Sequence, residues 1–189
     1  VLDSGFYPHP DLTEPVNRIR AWVNVGGEPI EALHFGPDDK PAWPGWDAGE
    51  ASQWHGLMTS TTLAGNGWLS HGLYCGMAGE AHLVLIQVRQ PDGAISNDSI
   101  RRGLEWVRAN GPELGVGVVS LSVAGDPVES QADNPVDTAV AELVAAGMVV
   151  LAAAGNDGQR SLVPPATAPA AITVGGIDDQ NTLTSEDIA

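Results

Sequence analysis

Three places in this sequence could start chemistry: an aspartate after an apolar pair, a histidine before a glycine, and an asparagine after a run of alanines. Asp3 follows Val1-Leu2 and precedes Ser4-Gly5, which puts a carboxylate where strand backbone gives way to a turn. His55 opens the stretch HGLMTSTTLAGNG (55–67), where Gly56, Thr59, Ser60 and Ala64 are small enough to let a short helix pack closely and hold an imidazole still. Asn156 stands at the mouth of MVVLAAAGN (148–156), where its side-chain amide could donate to a developing oxyanion. Taken singly, Asp3 reads as a turn cap, His55 as a solvated histidine and Asn156 as part of an Asn-Asp-Gly turn. A general base needs such an immobile imidazole, with one ring nitrogen facing a nucleophile and the other held by a carboxylate.

The elements that must position them follow from apolar patterning. AHLVLIQV (81–88), VGVVSLSV (116–123), MVVLAAA (148–154) and AAITVGGI (170–177) are short, nearly continuous apolar runs, the pattern of strands buried on both faces of a parallel sheet. Between them the spacing predicts a helix over 97–109, with Ile100, Leu104 and Val107 on one face and Gly111 just beyond. A second helix is marked by Asn134 as N-cap, Pro135 at its first position, the apolar face Val136, Val140, Leu143 and Val144, and Gly147 as its stop. Residues 1–56 read as loop-rich, surface-facing material with one strand over 18–25, and Val1-Leu2 reads as the end of another strand. Strand and helix alternation gives an α/β fold of three layers, α/β/α, with a mainly parallel central sheet, and in such sheets function gathers beyond the carboxyl ends of the strands. Asp3, Ser120 to Ser122 and Asn156 all fall at such ends.

With 189 residues and 43% hydrophobic content the chain is expected to form one domain or part of one, and it reads as a fragment cut at both ends. A formal charge of −16, from 24 acidic against 8 basic residues, disfavours nucleic acid and anionic membrane surfaces as partners and favours basic ones. No apolar run has the roughly 18 to 20 residues of a spanning helix. The single cysteine, Cys75, leaves no internal disulfide and no multi-cysteine metal site. Nothing in the residues sets an oligomeric state.

The segments VLDSGFYPHPDL (1–12), HGLMTSTTLAG (55–65), GEAHLVLIQV (79–88), VVSLSVAG (118–125), AAGMVVLAAAGNDG (145–158) and PPATAPAAITVGGID (164–178) together resemble, in order and approximate spacing, the subtilisin-like serine peptidases. The resemblance implies an Asp-His-Ser triad in which Asp3 orients His55, His55 activates a serine that attacks a peptide carbonyl, and Asn156 completes the oxyanion hole. It further implies that Ser120, Leu121 and Ser122 pair with the bound peptide and that Ala153, Ala154 and Gly155 wall the pocket before the cut. A protein or peptide substrate, a secreted enzyme, no required cofactor and calcium as a structural ion are implied in the same way. The sequence departs from the family where His-Gly-Thr-His-Val-Ala-Gly is usual and His55-Gly56-Leu57-Met58-Thr59-Ser60-Thr61 stands here, and where the usual Ala-Pro is Ala78-Gly79. No Gly-Thr-Ser-x-Ala segment occurs in these 189 residues, so the chain by itself is expected to be inactive. Ser4, Ser60, Ser120, Ser122, Ser161 and Ser185 lack the setting that exposes a nucleophile at a helix start.

Other readings remain open at this stage. His9, Asp11, His34, Asp38, Asp39, His71 and His82 add possible ligands for a metal-dependent hydrolase, without a recognised zinc spacing. A binding module that keeps the fold and has lost the nucleophile is a second alternative. A nucleotide-binding domain is a third, lacking Gly-x-Gly-x-x-Gly after a strand. Six tryptophans, Trp22, Trp43, Trp46, Trp54, Trp68 and Trp106, are expected mostly to anchor loops; Trp43, Trp46 and Trp54 could also shape a cleft.

Overall fold

A computed structural model describes residues 1–46, 51–128, 134–156 and 162–176, with backbone only at Ala51 and Ser52. Among these residues seven strands form one sheet: β1 (Leu2–Asp3), β2 (Ile19–Asn24), β3 (Glu31–His34), β4 (Leu83–Gln87), β5 (Val118–Leu121), β6 (Val149–Ala153) and β7 (Ile172–Val174). Their spatial order is β3-β2-β4-β1-β5-β6-β7. Every pairing is parallel except β2 with β3. The chain fills one side of β1 with β2, β3 and then β4, which inserts between β2 and β1, before β5, β6 and β7 extend the other side, so the direction of building switches beside β1. Crevices form at such a switch point.

Among the described residues four α-helices accompany the sheet: α1 (Pro10–Thr13), α2 (Ala51–Ala64), α3 (Asn97–Asn110) and α4 (Pro135–Ala145). Apart from an irregularity in register between Ile19 and Ala21, the strand period of two sorts the core. Ala21, Val23, Ile86, Val119, Leu121 and Val150 face one way and pack with Ile100, Leu104 and Val107 of α3 and Val136, Val140 and Leu143 of α4. Ile19, Trp22, Leu83 and Leu85 face the other way and pack with Leu57 and Ala64 of α2, together with Phe6, Leu12 and Trp43. The three-layer α/β/α reading holds.

Local signals explain most of the boundaries. Ser96 caps α3 and exchanges side-chain bonds with Ser99, a capping box. Asn134 accepts from the Val136 amide at the start of α4, and Gly147, at φ 92°, ends the turn that follows, where a side chain would be strained. Gly111 is right-handed, with φ −58°, and is no left-handed stop.

Two expectations for residues 1–56 are corrected. The segment is not surface-facing, because Phe6, Leu12, Ile19, Trp22 and Trp43 are buried in the second core cluster; Trp22 and Trp43 stack with ring centroids 5.6 Å apart. It also holds an unforeseen strand, β3, whose four residues are all exposed and so carry no alternating apolar signal.

On the α2 side, the β5-β6-β7 half of the sheet is open. Val118 and Val149 point there, opposite Val119 and Val150, and the register carries Ile172 and Val174 to the same face. These four side chains are 44 to 57% exposed.

Candidate functional site

Strand register brings the three suspected strand ends together. Leu2, Leu121 and Ala152 lie in one row across β1, β5 and β6, so the next residues, Asp3 and Ala153 at the ends of β1 and β6 and Ser122 just past the end of β5, follow that row. Asn156 lies three residues beyond Ala153, the last residue of β6, a strand two places from β1 in the sheet.

Asp3 is fully buried, and its carboxylate is held by donors on both oxygens. The His55 Nδ1–H donates to Oδ1 at 2.7 Å. The Ser4 amide donates to the same oxygen at 2.6 Å and the Ser4 hydroxyl at 3.1 Å. The Thr59 hydroxyl donates to Oδ2 at 2.8 Å. A carboxylate only accepts, so the bond from Nδ1 puts the imidazole proton there and leaves a lone pair on Nε2. With 43% of its side chain exposed, His55 is accessible on a buried anchor, the disposition of a general base.

The helix that presents His55 begins at Ala51, four residues before the histidine, rather than at the histidine itself. The signal was weak because α2 buries a narrow row, Gly56, Leu57, Ser60 and Ala64, in which one residue is large and apolar. Those small residues let α2 touch β1: a Cβ on Gly56 would stand 1.9 Å from the Gly5 carbonyl oxygen. At its far end, α2 is tied by Arg18, whose guanidinium donates to the carbonyls of Ala64 and Ala81, at 2.7 and 3.1 Å, and of Asp11. Burial pulls the Arg18 pKa down from its ordinary value, with nearby Asp11 acting in the opposite sense. The role of Thr59 as a donor to Asp3 was not read from sequence. Its signal was its position four residues after His55, on the same helix face.

The remaining predicted residues fall around this centre. Ser120 and Ser122 are half-buried, whereas Leu121 is buried in the core and offers a peptide only its backbone. Ala153 and Gly155 are exposed, Ala154 is half-buried with its amide donating to Val174 at 2.8 Å, and Asn156 is exposed. Ser60 is buried and donates to the Gly56 carbonyl, Ser4 is committed to Asp3, and Ser161 and Ser185 lie outside the described residues.

The suspected metal ligands do not converge. His9 caps α1 through Nδ1, Asp11 accepts from the Leu69 amide, Asp39 accepts from the Gly36 amide, and His82 pairs with Arg20. No group of three or more His, Cys, Asp or Glu is placed to hold a metal ion among the described residues. Among the tryptophans, Trp43 is buried and donates to the Phe6 carbonyl, while Trp46 and Trp54 are about half exposed.

Comparison with known proteins shows the family and the fold of the chain. Serine protease AprX of Bacillus subtilis (strain 168) is 32% identical over 194 residues, a match covering 99% of this chain and 39% of that protein. Subtilisin BL of Lederbergia lenta is 31% identical over 186 residues, covering 98% of this chain and 57% of that one. The chain thus spans between two fifths and three fifths of the length of these relatives. Among solved structures, S41 Psychrophilic Protease and Sphericase each superpose with a TM-score of 0.70, at 24 and 23% identity, covering 97 and 98% of this chain and 53 and 54% of theirs; they share its fold. No helix among the described residues is long and apolar enough to cross a membrane. The family model described as the subtilase family, Peptidase_S8, matches residues 1–186, and the chain belongs to that family.

Proposed function

We propose that this chain is part of a serine endopeptidase that hydrolyses peptide bonds through an acyl-enzyme, contributing every member of the catalytic centre except the serine. The observation that carries the reading is the 2.7 Å bond between His55 and buried Asp3, two residues 52 positions apart that meet at the switch point of the sheet. His55 Nε2 removes the proton of a serine supplied by sequence outside these 189 residues and later delivers it to the leaving amine. Asp3 keeps the imidazole in the tautomer that makes this transfer productive and stabilises the imidazolium that forms.

Asn156 donates its side-chain N–H to the oxyanion of the tetrahedral intermediate. Loss of such a donor costs about 10² to 10³ in kcat, a magnitude itself measured on a subtilisin. Ser120, Leu121 and Ser122 align the substrate backbone where β5 runs out, and Ala153, Ala154 and Gly155 form a small-walled pocket for the side chain before the cut. Substrates are proteins or peptides, and the net charge of −16 draws basic segments toward the site. The reaction requires no cofactor, and calcium acts, if bound, as a structural ion away from the chemistry. The enzyme is secreted, and the 189-residue chain alone gives no turnover.

The test is peptide hydrolysis by the full-length polypeptide that carries this segment. Asp3→Asn is expected to lower kcat by about 10⁴, because it reverses the donor and acceptor roles that set the His55 tautomer. Full activity in that variant would refute the reading.

A further inference from the structure

We infer that Thr59 is a positioning residue for the proposed triad, acting through Asp3; the inference rests on the peptidase reading above. Residues four apart on a helix share one face. On α2 that face presents His55 and Thr59 together to Asp3, and they take different oxygens of its carboxylate, Oδ1 at 2.7 Å and Oδ2 at 2.8 Å. The carboxylate is fully buried, so water does not compensate for a missing donor.

Two donors from one helix fix the carboxylate more tightly than one. With His55 and the Ser4 amide on Oδ1 alone, the group could still turn about its Cβ–Cγ bond. A donor on Oδ2 removes that freedom and sets the line along which Oδ1 receives the His55 Nδ1–H. It also bears on the transition state, where the imidazole becomes cationic and must stay in line with both Asp3 and the nucleophile.

A competing explanation is on the same side chain. The Thr59 hydroxyl also lies 3.0 Å from the Gly56 carbonyl, a contact common for threonine inside helices. A hydroxyl has one hydrogen, and the shorter contact is to the charged acceptor, where hydrogen bonds are stronger. If Thr59 served only the helix backbone, its effect on turnover would not depend on Asp3.

The experiment is a double-mutant cycle on hydrolysis by the full-length enzyme, with Thr59→Val and Asp3→Asn, and with Thr59→Ser as the conservative variant. Thr59→Val is expected to lower kcat roughly tenfold with KM little changed, the size of one charge-assisted hydrogen bond felt in the transition state. Thr59→Ser should restore kcat to within a factor of about two or three, and Thr59→Val should have almost no effect in the Asp3→Asn background. If Thr59→Val does not fold, Thr59→Cys, similar in size with a weak donor, carries the same comparison. Equal losses in both backgrounds, or an unchanged kcat in Thr59→Val, would overturn the inference alone. Absence of peptidase activity in the parent, or full activity in Asp3→Asn, would overturn the peptidase reading beneath it.

Discussion

Gly56 of α2 and Gly5 beyond β1 meet backbone to backbone, so closely that a methyl group on Gly56 would stand 1.9 Å from the Gly5 carbonyl oxygen. This contact sets the distance at which His55, one residue earlier, reaches Asp3, two residues before Gly5. Gly56→Ala must push the helix off the strand end. Overpacking of this kind costs about 1 to 3 kcal/mol, and a displacement of about 1 Å at a reacting group can cost 10² in rate. We expect Gly56→Ala to lower kcat of the full-length enzyme about 100-fold, with a smaller fall in unfolding midpoint than a core Leu→Ala change produces.

Arg18 anchors the other end of the same helix. Its guanidinium satisfies three backbone carbonyls from three segments. Removing it strands those acceptors in the interior at about 1 to 3 kcal/mol each, partly relieved where Asp11 also accepts from the Asn66 amide. Arg18→Met should therefore lower stability by about 3 kcal/mol in urea denaturation. Arg18→Lys should recover less than half of that, since one ammonium cannot reproduce the planar fork.

These two anchors show how far the sequence was legible. Apolar runs of strand length and the Asn134-Pro135 and Gly147 signals foretold the parallel sheet and α4, because burial and capping write themselves into residue types. The helix carrying His55 was read only in part, and its start was misplaced, because α2 is held by closeness and by buried Arg18 rather than by a broad apolar stripe. β3 left no pattern at all, its four residues being exposed. Asp3, His55 and Asn156 could be picked out by type and order. That Thr59 faces Asp3 followed only from the helix phase, which the sequence did not settle.

Asp137, in the first turn of α4, makes stability depend on pH. Its carboxylate is buried, and burial pushes its pKa above the ordinary value of 3.8 even though Thr167, donating at 3.0 Å, and Asn134 favour the charged form. The folded chain then holds this proton more tightly than the unfolded chain does. By linkage, stability falls as pH rises from the unfolded value through the raised folded value, and the penalty is constant above that window. Asp137→Asn, which can still accept from Thr167, should gain stability relative to the parent at pH 7 and show no gain at pH 3. Denaturation at the two pH values checks this, and an equal change at both would contradict it.

The open face of β5, β6 and β7 predicts behaviour of the 189-residue chain. Val118, Val149, Ile172 and Val174 form an exposed apolar surface on one side of the sheet. The chain should bind a hydrophobic fluorescent dye in its folded state. Replacing Val118, Val149 and Ile172 by threonine, which keeps β-branching, should cut that binding by more than half while leaving the far-ultraviolet dichroism unchanged.

The most direct test of the account is to treat the full-length polypeptide with a serine-directed fluorophosphonate and locate the adduct by mass spectrometry. The account predicts one adduct, on a serine outside these 189 residues, formed at a rate that falls at least 1,000-fold in His55→Ala, in line with the loss of a triad base. An adduct on a serine within residues 1–189, or labelling at an undiminished rate in His55→Ala, would contradict the assignment of His55 as the base.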